Sequence, residues 1–370
     1  MIKKIGFKGY KLFKGYNEIE IGSITVLIGK NSSGKSSLTK LMHILPKSFD
    51  REEQLPISLS NDDVELGVEF RDLVYGRSGS GYLEIMVKND NQSFKFIVGN
   101  KISDAFIPIL LEAGKVAYSG NLDLAGFEES HYDFFESNNL TYNSDYIGPI
   151  RKTPKRFFSP QTIKGKYKSG KSGENAYNEV VNLFISGEKE LLGKIDEWYK
   201  ENFDGWGIKV NDDKAPAYQL QITNQENFDI NIVDAGQGMS QLFPIVTRAF
   251  IPCKEETLII IEQPELHLHP AAHGDVAELL VTQSKEDPNK HFLVETHSQN
   301  FLLRIRRLIA EGRISNKRIK FYFIDYDHEQ KTSTVKPIKL NEIGEVDYWP
   351  DGIFNEDFEE AMKLSKAQKR

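Results

Sequence analysis

Residues 29–36, Gly-Lys-Asn-Ser-Ser-Gly-Lys-Ser, match the phosphate-binding pattern G-x-x-x-x-G-K-[ST]. Glycines at this spacing let backbone N–H groups point inward at phosphate oxygens, and the N-terminal end of the following helix adds positive charge. Lys35 would place its charge on the β- and γ-phosphates, and the Ser36 hydroxyl would bind Mg²⁺. A glycine-serine turn without a ligand is the alternative, but a buried strand leads in and a helix leads out. The predicted nucleotide contacts are Gly29, Asn31, Ser32, Ser33, Gly34, Lys35, Ser36 and Ser37.

Two further apolar runs end in polar residues. The run 258–262 ends in Glu262, and the run 291–294 is followed by Glu-Thr-His-Ser. We expect Glu262 to hold Mg²⁺ near the P-loop serine. Neighbouring parallel strands end at one edge of a sheet, where ligands bind, so His297 would lie within reach of the γ-phosphate. The alternative for His297 is a residue that merely precedes a helix capped by Ser298.

The segment 263–270, Gln-Pro-Glu-Leu-His-Leu-His-Pro, places two histidines near two acids. A histidine–carboxylate metal site is not predicted there, because the H-E-x-x-H spacing and a third nitrogen ligand at helical spacing are missing. The single cysteine, Cys253, excludes an internal disulfide framework and a multi-cysteine metal site.

Apolar periodicity predicts one α/β domain interrupted by an insertion. Early strands surround one helix, and the strands return after residue 206 with helices between them. Helices are predicted over 106–115, 178–185 and 189–200 in the insertion. The predicted divisions are 1–98 with the P-loop, 99–205 as a mostly helical insertion, 206–347 with the second half of the domain, and 348–370 as a tail.

Composition restricts where the protein works and what it binds. The chain has 370 residues and a net charge of −7. No apolar run approaches the roughly 20 residues that cross a membrane, and the N-terminus lacks the apolar stretch of a signal peptide. We therefore expect a soluble, cytoplasmic protein without a membrane contact. The acidic total argues against indiscriminate coating of nucleic acid.

A basic segment, residues 151–171, contains no acid. It could contact nucleic acid or another phosphate-bearing partner. The alternative is a solvated loop in which Arg151 and Arg156 are tied into the fold. A second basic cluster lies at residues 304–320. The basic residues of the segment are Arg151, Lys152, Lys155, Arg156, Lys164, Lys166, Lys168 and Lys171.

In this order, the motifs resemble the ABC-class ATPase domains of SMC-like and overcoming-lysogenisation-defect (OLD) proteins. Besides the P-loop, the resemblance rests on residues 146–158, 236–246, 259–270, 294–309 and 348–364, and it covers nearly the whole chain. It implies a P-loop NTPase fold of the ABC-ATPase head type, with a mixed sheet, an N-terminal antiparallel β subdomain and a mostly helical insertion. It also implies ATP and Mg²⁺ as cofactors.

The resemblance assigns further roles. It implies that Gly236, Gly238 and Ser240 form the signature segment, which closes over the γ-phosphate held by a second subunit. His297 falls on the switch histidine, and residues 266–269 fall on the D-loop, where His269 replaces a common aspartate.

Two departures affect hydrolysis. Gln263 stands where the catalytic glutamate is usual, so slow hydrolysis is expected, with Gln263 orienting the water or Glu265 replacing the missing base. No clear Q-loop glutamine follows the early strands, and residues 67–77 are expected in that region.

The function implied by the resemblance is an ATP-driven dimerisation switch. A homodimer, or a higher even oligomer, would sandwich ATP and control a DNA-related or nuclease-like effector in antiviral defence or genome maintenance. The alternative is a mainly structural, ATP-bound scaffold with little turnover. Gln263, in place of the usual catalytic glutamate, is the feature that supports this alternative. A transporter subunit is disfavoured by the long insertion and the atypical signature.

Overall fold

The computed structural model is an α/β protein with a central sheet between two hydrophobic cores. It describes residues 2–53, 57–79, 81–99, 107–110, 117–120, 133, 136–137, 141–160, 167–226, 228–350 and 356–368. Within these ranges, every helix is too short or too polar to cross a membrane.

The helices and strands follow in chain order. The strands are β1 (Lys4–Lys8), β2 (Asn17–Glu20), β3 (Ile24–Gly29), β4 (Ser60–Asn61), β5 (Val64–Glu65), β6 (Tyr82–Lys88), β7 (Ser93–Gly99), β8 (Ile107–Leu110), β9 (Ala117–Gly120), β10 (Asn143–Ile147), β11 (Gly207–Asn211), β12 (Gln219–Thr223), β13 (Asp229–Asn231), β14 (Thr257–Glu262), β15 (Lys290–Glu295), β16 (Ile319–Asp327) and β17 (Thr332–Ile338). The helices are α1 (Lys35–Ile44), α2 (Ala176–Ser186), α3 (Lys189–Asn202), α4 (Gln237–Phe250), α5 (Pro270–Glu286), α6 (Gln299–Ala310) and α7 (Glu356–Gln368).

The central sheet has six strands in the order β10-β14-β15-β3-β16-β17. All pairs are parallel except the last, in which β17 runs antiparallel to β16 at the edge. The strands β3, β14 and β15 are buried along their whole length, which explains why they read as continuous apolar runs. The mixed sheet predicted from the resemblance is confirmed.

The two faces of this sheet have separate cores. Along β14, Ile259 and Ile261 belong to the core that includes α4, α5 and α6. The alternate residues, Leu258 and Ile260, belong to the core formed with α1 and the N-terminal strands. Those strands form a four-stranded antiparallel sheet in the order β2-β1-β6-β7, which confirms the predicted N-terminal antiparallel β subdomain.

The segment 99–205 differs in part from the mostly helical insertion that we predicted. Its helices α2 and α3 lie where the sequence placed them. The helix predicted over 106–115 is wrong, because β8 occupies 107–110 and pairs with β9. Pro108 disfavours a helix interior, and a short apolar run does not distinguish helix from strand. In addition, β10 is an integral strand of the central sheet, so the insertion does not run unbroken through 99–205.

Candidate functional site

The phosphate-binding loop leaves β3 at Gly29 and enters α1 at Lys35. Gly29 and Gly34 have positive φ angles of 156° and 107°. A side chain at Gly29 would collide with the Ile324 carbonyl, and a Cβ at Gly34 would lie 2.9 Å from the Phe13 ring. Both positions therefore require glycine for the loop to wrap.

The polar groups of the loop turn toward its centre. Lys35 Nζ donates hydrogen bonds to the carbonyl oxygens of Gly29 and Lys30, at 3.0 and 2.8 Å. The Ser33 hydroxyl is buried and has no hydrogen-bond partner among the described residues. The buried ammonium of Lys35 and the unpartnered hydroxyl of Ser33 are both groups that can donate hydrogen bonds to an anionic ligand. The other predicted contacts in the loop are the exposed Asn31 and Ser32 and the half-buried Ser37.

Two carboxylates face the start of α1 from the ends of β14 and β15. Glu262 and Glu295 are direct partners in the sheet register. The Ser36 hydroxyl donates to Glu295 Oε2 at 2.9 Å and lies 3.2 Å from Oε1. Glu262 accepts instead from the Thr39 and Tyr146 hydroxyls, the latter at 2.6 Å. Glu295, which the sequence analysis did not select, is therefore the acid in contact with Ser36.

The surroundings of Glu295 perturb its pKa. Burial raises the pKa of Glu295 to about 7, and the neighbouring charge of Glu262 adds to this effect. Lys35 and the hydrogen bond from Ser36 oppose it. Burial also lowers the pKa of Lys35, while the two acids counteract that shift. The site thus holds one ammonium against two buried carboxylates.

The donors at this edge of the sheet fit Mg²⁺ and a nucleotide. Hydroxyl and carboxylate oxygens are the hard ligands that Mg²⁺ prefers, and Ser36, Glu262 and Glu295 supply them. The loop supplies Lys35 and the N-terminal end of α1 for phosphate oxygens. Mg²⁺, when bound, would neutralise charge on the β- and γ-phosphates.

A turn with a positive φ follows Glu262. Gln263 has φ 47°, and its backbone N–H donates to the Glu295 carbonyl at 2.7 Å. Arg151 Nη2 donates to the carbonyl oxygens of Glu262 and Gln263, both at 2.8 Å. Burial lowers the pKa of Arg151 to about 10, with Glu265 opposing. The buried guanidinium therefore braces the turn that presents Gln263.

Glu265 and His297 are joined across the edge of the sheet. Glu265 Oε1 accepts the backbone N–H of His297 at 2.7 Å, and Oε2 is buried without a hydrogen-bond partner in the described part of the chain. The pKa of His297 is lowered, first by partial desolvation and then by the charge of Lys35. The predicted switch histidine therefore lies on the P-loop side of the site. Its neighbour Ser298 does cap α6, so the capping alternative also describes the local structure.

The predicted signature segment lies at the start of α4. Gly236 is the N-cap residue, and no atom lies within 4 Å of a Cβ built there. A Cβ at Gly238 would lie 3.0 Å from the His267 carbonyl oxygen, so this glycine packs on the D-loop of its own chain. Ser240 is buried, and its hydroxyl donates to the Gln237 carbonyl at 3.3 Å. The outward-facing part of the segment is therefore Gly236 and Gln237.

The D-loop histidines have local structural roles. His267 has a φ of 67°, and His269 caps α5 by accepting the Ala271 N–H at 3.3 Å. His273, which sequence reasoning missed, contacts the Ser298 hydroxyl at 2.8 Å. It ties the start of α5 to the start of α6.

Several members of the basic segment make contacts within the chain. Arg156 forms a double hydrogen bond with Asp234, at 2.7 and 2.8 Å. Lys168 contacts Asp62 at 3.0 Å, and Lys171 donates to the Asp63 carbonyl at 3.1 Å. Together with the buried Arg151, these contacts favour the tied-in alternative for much of the segment, and nucleic-acid contact stays a prediction. Two members, Lys164 and Lys166, lie outside the described residues.

Three arginines of the second basic cluster share one acid. Arg304, Arg307 and Arg313 all contact Glu278. Arg304 also pairs with Asp275, and Arg307 pairs with Glu311, so these three arginines have three acidic partners within the chain.

Residues 67–77, which were expected in the Q-loop region, pack on the turn after β1, where the Tyr75 N–H donates to the Gly9 carbonyl at 2.7 Å. The segment after β10, which carries Arg151, flanks Glu262 on the side away from β15. The expectation for residues 67–77 stays a prediction.

Comparison with protein families gives two matches. Residues 24–304 match the sequence profile of a family described as "AAA domain, putative AbiEii toxin, Type IV TA system". Residues 308–364 match a profile described as "Protein of unknown function (DUF3696)". No curated protein matches the chain.

Solved structures identify the fold. The chain is similar to an SMC head bound to the C-winged helix domain of ScpA, with a TM-score of 0.57 and 14% identity over 92% of this chain and 98% of that chain. It is also similar to an Smc head with an extended coiled coil, bound to the C-terminal domain of ScpA derived from Pyrococcus furiosus. That match has a TM-score of 0.53 and 13% identity over 100% of this chain and 99% of that chain. These identities establish the fold alone, and the OLD part of the resemblance stays a prediction. The chain therefore belongs to the AAA-domain family that carries the AbiEii description, and its fold is that of an SMC-like ABC-class ATPase.

Proposed function

We propose that the protein binds ATP with Mg²⁺ and hydrolyses it slowly, and that ATP drives two chains together to control a separate effector. The observation that carries the proposal is the convergence of Lys35, Ser36, Glu262 and Glu295 at one edge of the central sheet. Such a set binds a phosphate chain together with a divalent cation. The family match over residues 24–304 supports the same reading.

The residues of the chain divide the work of hydrolysis. Lys35 binds the β- and γ-phosphates, and Ser36 holds the ion beside the acids. Gln263 follows the acid directly and orients the attacking water through its amide, which cannot act as a base near neutral pH. His297 lies on the P-loop side of the site and contacts the γ-phosphate. Turnover is slow because Gln263 supplies no proton acceptor.

Dimerisation would complete the site. The exposed start of α4 at Gly236 presents the positive end of a 14-residue helix. The first backbone N–H groups of a helix have no partner within it, so such an end attracts a phosphate. A second chain would supply that phosphate from its own P-loop, as the resemblance to SMC-like ATPases implies. The assembly is a homodimer or a higher even oligomer in this proposal.

The effector is proposed from the comparisons. The structurally similar SMC heads are bound to domains of ScpA, a separate protein, and the family description names a toxin of a type IV system. These findings support a separate partner protein. We propose, from the resemblance to OLD-type proteins, that the partner is nuclease-like and that the role lies in antiviral defence or genome maintenance. Nucleic-acid contact through residues 151–171 also remains part of the proposal. It would not depend on the four basic residues that make contacts within the chain, which are Arg151, Arg156, Lys168 and Lys171.

A structural ATP-bound scaffold is the second candidate. It is favoured by Gln263 in place of an acid and by Glu265, whose carboxylate is engaged with the His297 N–H. Such a protein would bind ATP and associate but release almost no phosphate.

Two measurements on one sample distinguish these functions. Light scattering with ATP, with ADP and without nucleotide reports association, and steady-state phosphate release reports turnover. The switch predicts association with ATP that is lost with ADP, together with measurable turnover. Association with ATP but without turnover supports the scaffold, whereas a protein that neither associates with ATP nor releases phosphate refutes both.

A further inference from the structure

Glu295 is the last residue of β15, a strand whose other residues are buried and mostly apolar. It is itself only 3% exposed. A carboxylate in such a place is costly unless something compensates its charge. The contact that it makes is with the Ser36 hydroxyl, the group through which a P-loop serine binds Mg²⁺.

Glu262, the acid expected to hold the ion, is oriented differently. Its Oε1 atom accepts hydrogen bonds from both Tyr146 and Thr39, and Thr39 lies one turn further along α1 than Ser36. Its carboxylate is thus held at the deeper side of the site. The two acids are side by side in the register of β14 and β15, so their charges repel each other.

Among the described residues, the ammonium that acts on these acids is that of Lys35, and one positive charge does not balance two carboxylates. Lys35 is directed to the carbonyl oxygens of Gly29 and Lys30 and also has to serve the phosphates. A divalent cation between Ser36 and the two acids would neutralise both of them. Oxygen ligands of this kind, from a hydroxyl and two carboxylates, suit Mg²⁺.

We propose that Glu295 is a principal acidic group of the Mg²⁺ site, holding the ion beside Ser36 directly or through its water, with Glu262 as the second acid behind it. This inference rests on the proposed function, because it concerns the ion that accompanies the nucleotide. The proposal places acidic groups of the Mg²⁺ site at the ends of two strands, β15 at Glu295 and β14 at Glu262.

The test measures how strongly Mg²⁺ enhances nucleotide binding. A fluorescent ATP analogue is titrated into the full chain with Mg²⁺ and again with EDTA, and the ratio of the two Kd values is the Mg²⁺ enhancement. Glu295→Gln keeps the size of the side chain and can still accept from Ser36, but it removes the charge. We expect it to reduce the enhancement by at least about tenfold while leaving the Kd in EDTA within about threefold of the parent value.

Two matched variants complete the series. Glu329→Gln removes an exposed glutamate in the turn after β16 and should keep the enhancement of the parent. Glu295→Asp keeps the charge on a shorter side chain and should restore part of the enhancement. Binding of Mn²⁺ with ATP, followed by its electron paramagnetic resonance signal, gives a direct second measurement and should weaken in Glu295→Gln.

The outcomes separate the inference from the function on which it rests. A Glu295→Gln protein with the parent's Mg²⁺ enhancement and Mn²⁺ affinity would overturn the role of Glu295 while leaving ATP binding intact. A variant that loses affinity equally with Mg²⁺ and with EDTA would show that Glu295 only shapes the loop, which also overturns the inference. Parent protein that does not bind the nucleotide under either condition would refute both.

Discussion

The carboxylate of Glu265 accepts the backbone N–H of His297 at 2.7 Å, which links the segment after β14 to the segment after β15. This contact holds the switch histidine at the edge of the sheet. Its other oxygen, Oε2, is buried without a hydrogen-bond partner in the described part of the chain. Glu265 therefore positions His297 through one oxygen, and the choice between Gln263 and Glu265 at the attacking water stays a question for the following experiment.

Substitutions at these two positions should affect turnover differently. Gln263→Glu should raise steady-state phosphate release by about tenfold or more, because a carboxylate can accept the proton of the water. Glu265→Gln should change the rate by less than about threefold, since the amide oxygen can still accept from the His297 N–H, whereas Glu265→Ala should lower it. Loss of turnover in Glu265→Gln, with no gain in Gln263→Glu, would identify Glu265 as the base instead.

Lys35→Ala should weaken ATP binding by at least about tenfold, because charge-assisted hydrogen bonds contribute about 1.5–3 kcal/mol. Its hydrogen bonds with Gly29 and Lys30 lie within one loop, so the rest of the fold should remain. Equilibrium nucleotide titration measures the affinity, and circular dichroism checks the fold. An unchanged ATP affinity in a folded variant would contradict the assignment of the P-loop.

Gly236→Arg should block association without harming the P-loop of the same chain. Its φ of −57° suits any residue, and open space surrounds a Cβ there, so the arginine would project where the phosphate of a second chain is expected. Gly193→Arg is the matched control, because Gly193 in α3 also has open space around its Cβ. Light scattering with ATP should show association in the control and not in Gly236→Arg. Equal association in both would refute the role of this surface.

His43 should make the protein acid-sensitive. Burial lowers its pKa to about 4, with Lys168 contributing and Asp62 and Asp145 opposing. The unfolded chain takes up the proton below about pH 6.5 and the folded chain only below about pH 4, so acidification favours unfolding. Between pH 7 and pH 5 this residue should cost about 2 kcal/mol of unfolding free energy.

Denaturant unfolding at both pH values, for the parent and for His43→Met, isolates that contribution. Many other groups titrate over the same interval, so the informative quantity is the difference between the two proteins. A His43→Met protein that loses as much stability on acidification as the parent would show that His43 does not carry the effect.

The parts of the site that depend on neighbouring residues could be predicted from the sequence. The loop from Gly29 to Ser36 is one continuous stretch of sequence, and so is the strand that ends at Glu262. The residue types and spacing within each stretch were therefore enough to predict its role. Strands buried on both faces also read directly as apolar runs. The short run at 107–110 was misassigned because its length is compatible with either helix or strand.

Contacts between residues that are far apart in the chain could not be predicted from local sequence patterns. Arg151 reaches carbonyls 111 and 112 residues later. The sequence analysis included the alternative that Arg151 is tied into the fold, but a run of basic residues does not identify the partners. Ser36 and Glu295 are 259 residues apart. One signal was available for Glu295, a charged residue ending an otherwise buried strand next to the strand of Glu262, and sequence reasoning did not use it.

Strand β10 gives the molecule a mechanical property. Asp145 is buried and pairs with Arg248 near the end of α4, at 2.6 Å. The next residue, Tyr146, points to the opposite face of the sheet and donates to Glu262. The side chains of two adjacent residues of β10 therefore connect α4 to Glu262. If docking of a second chain tilts α4, we expect the displacement to reach Glu262 through this strand.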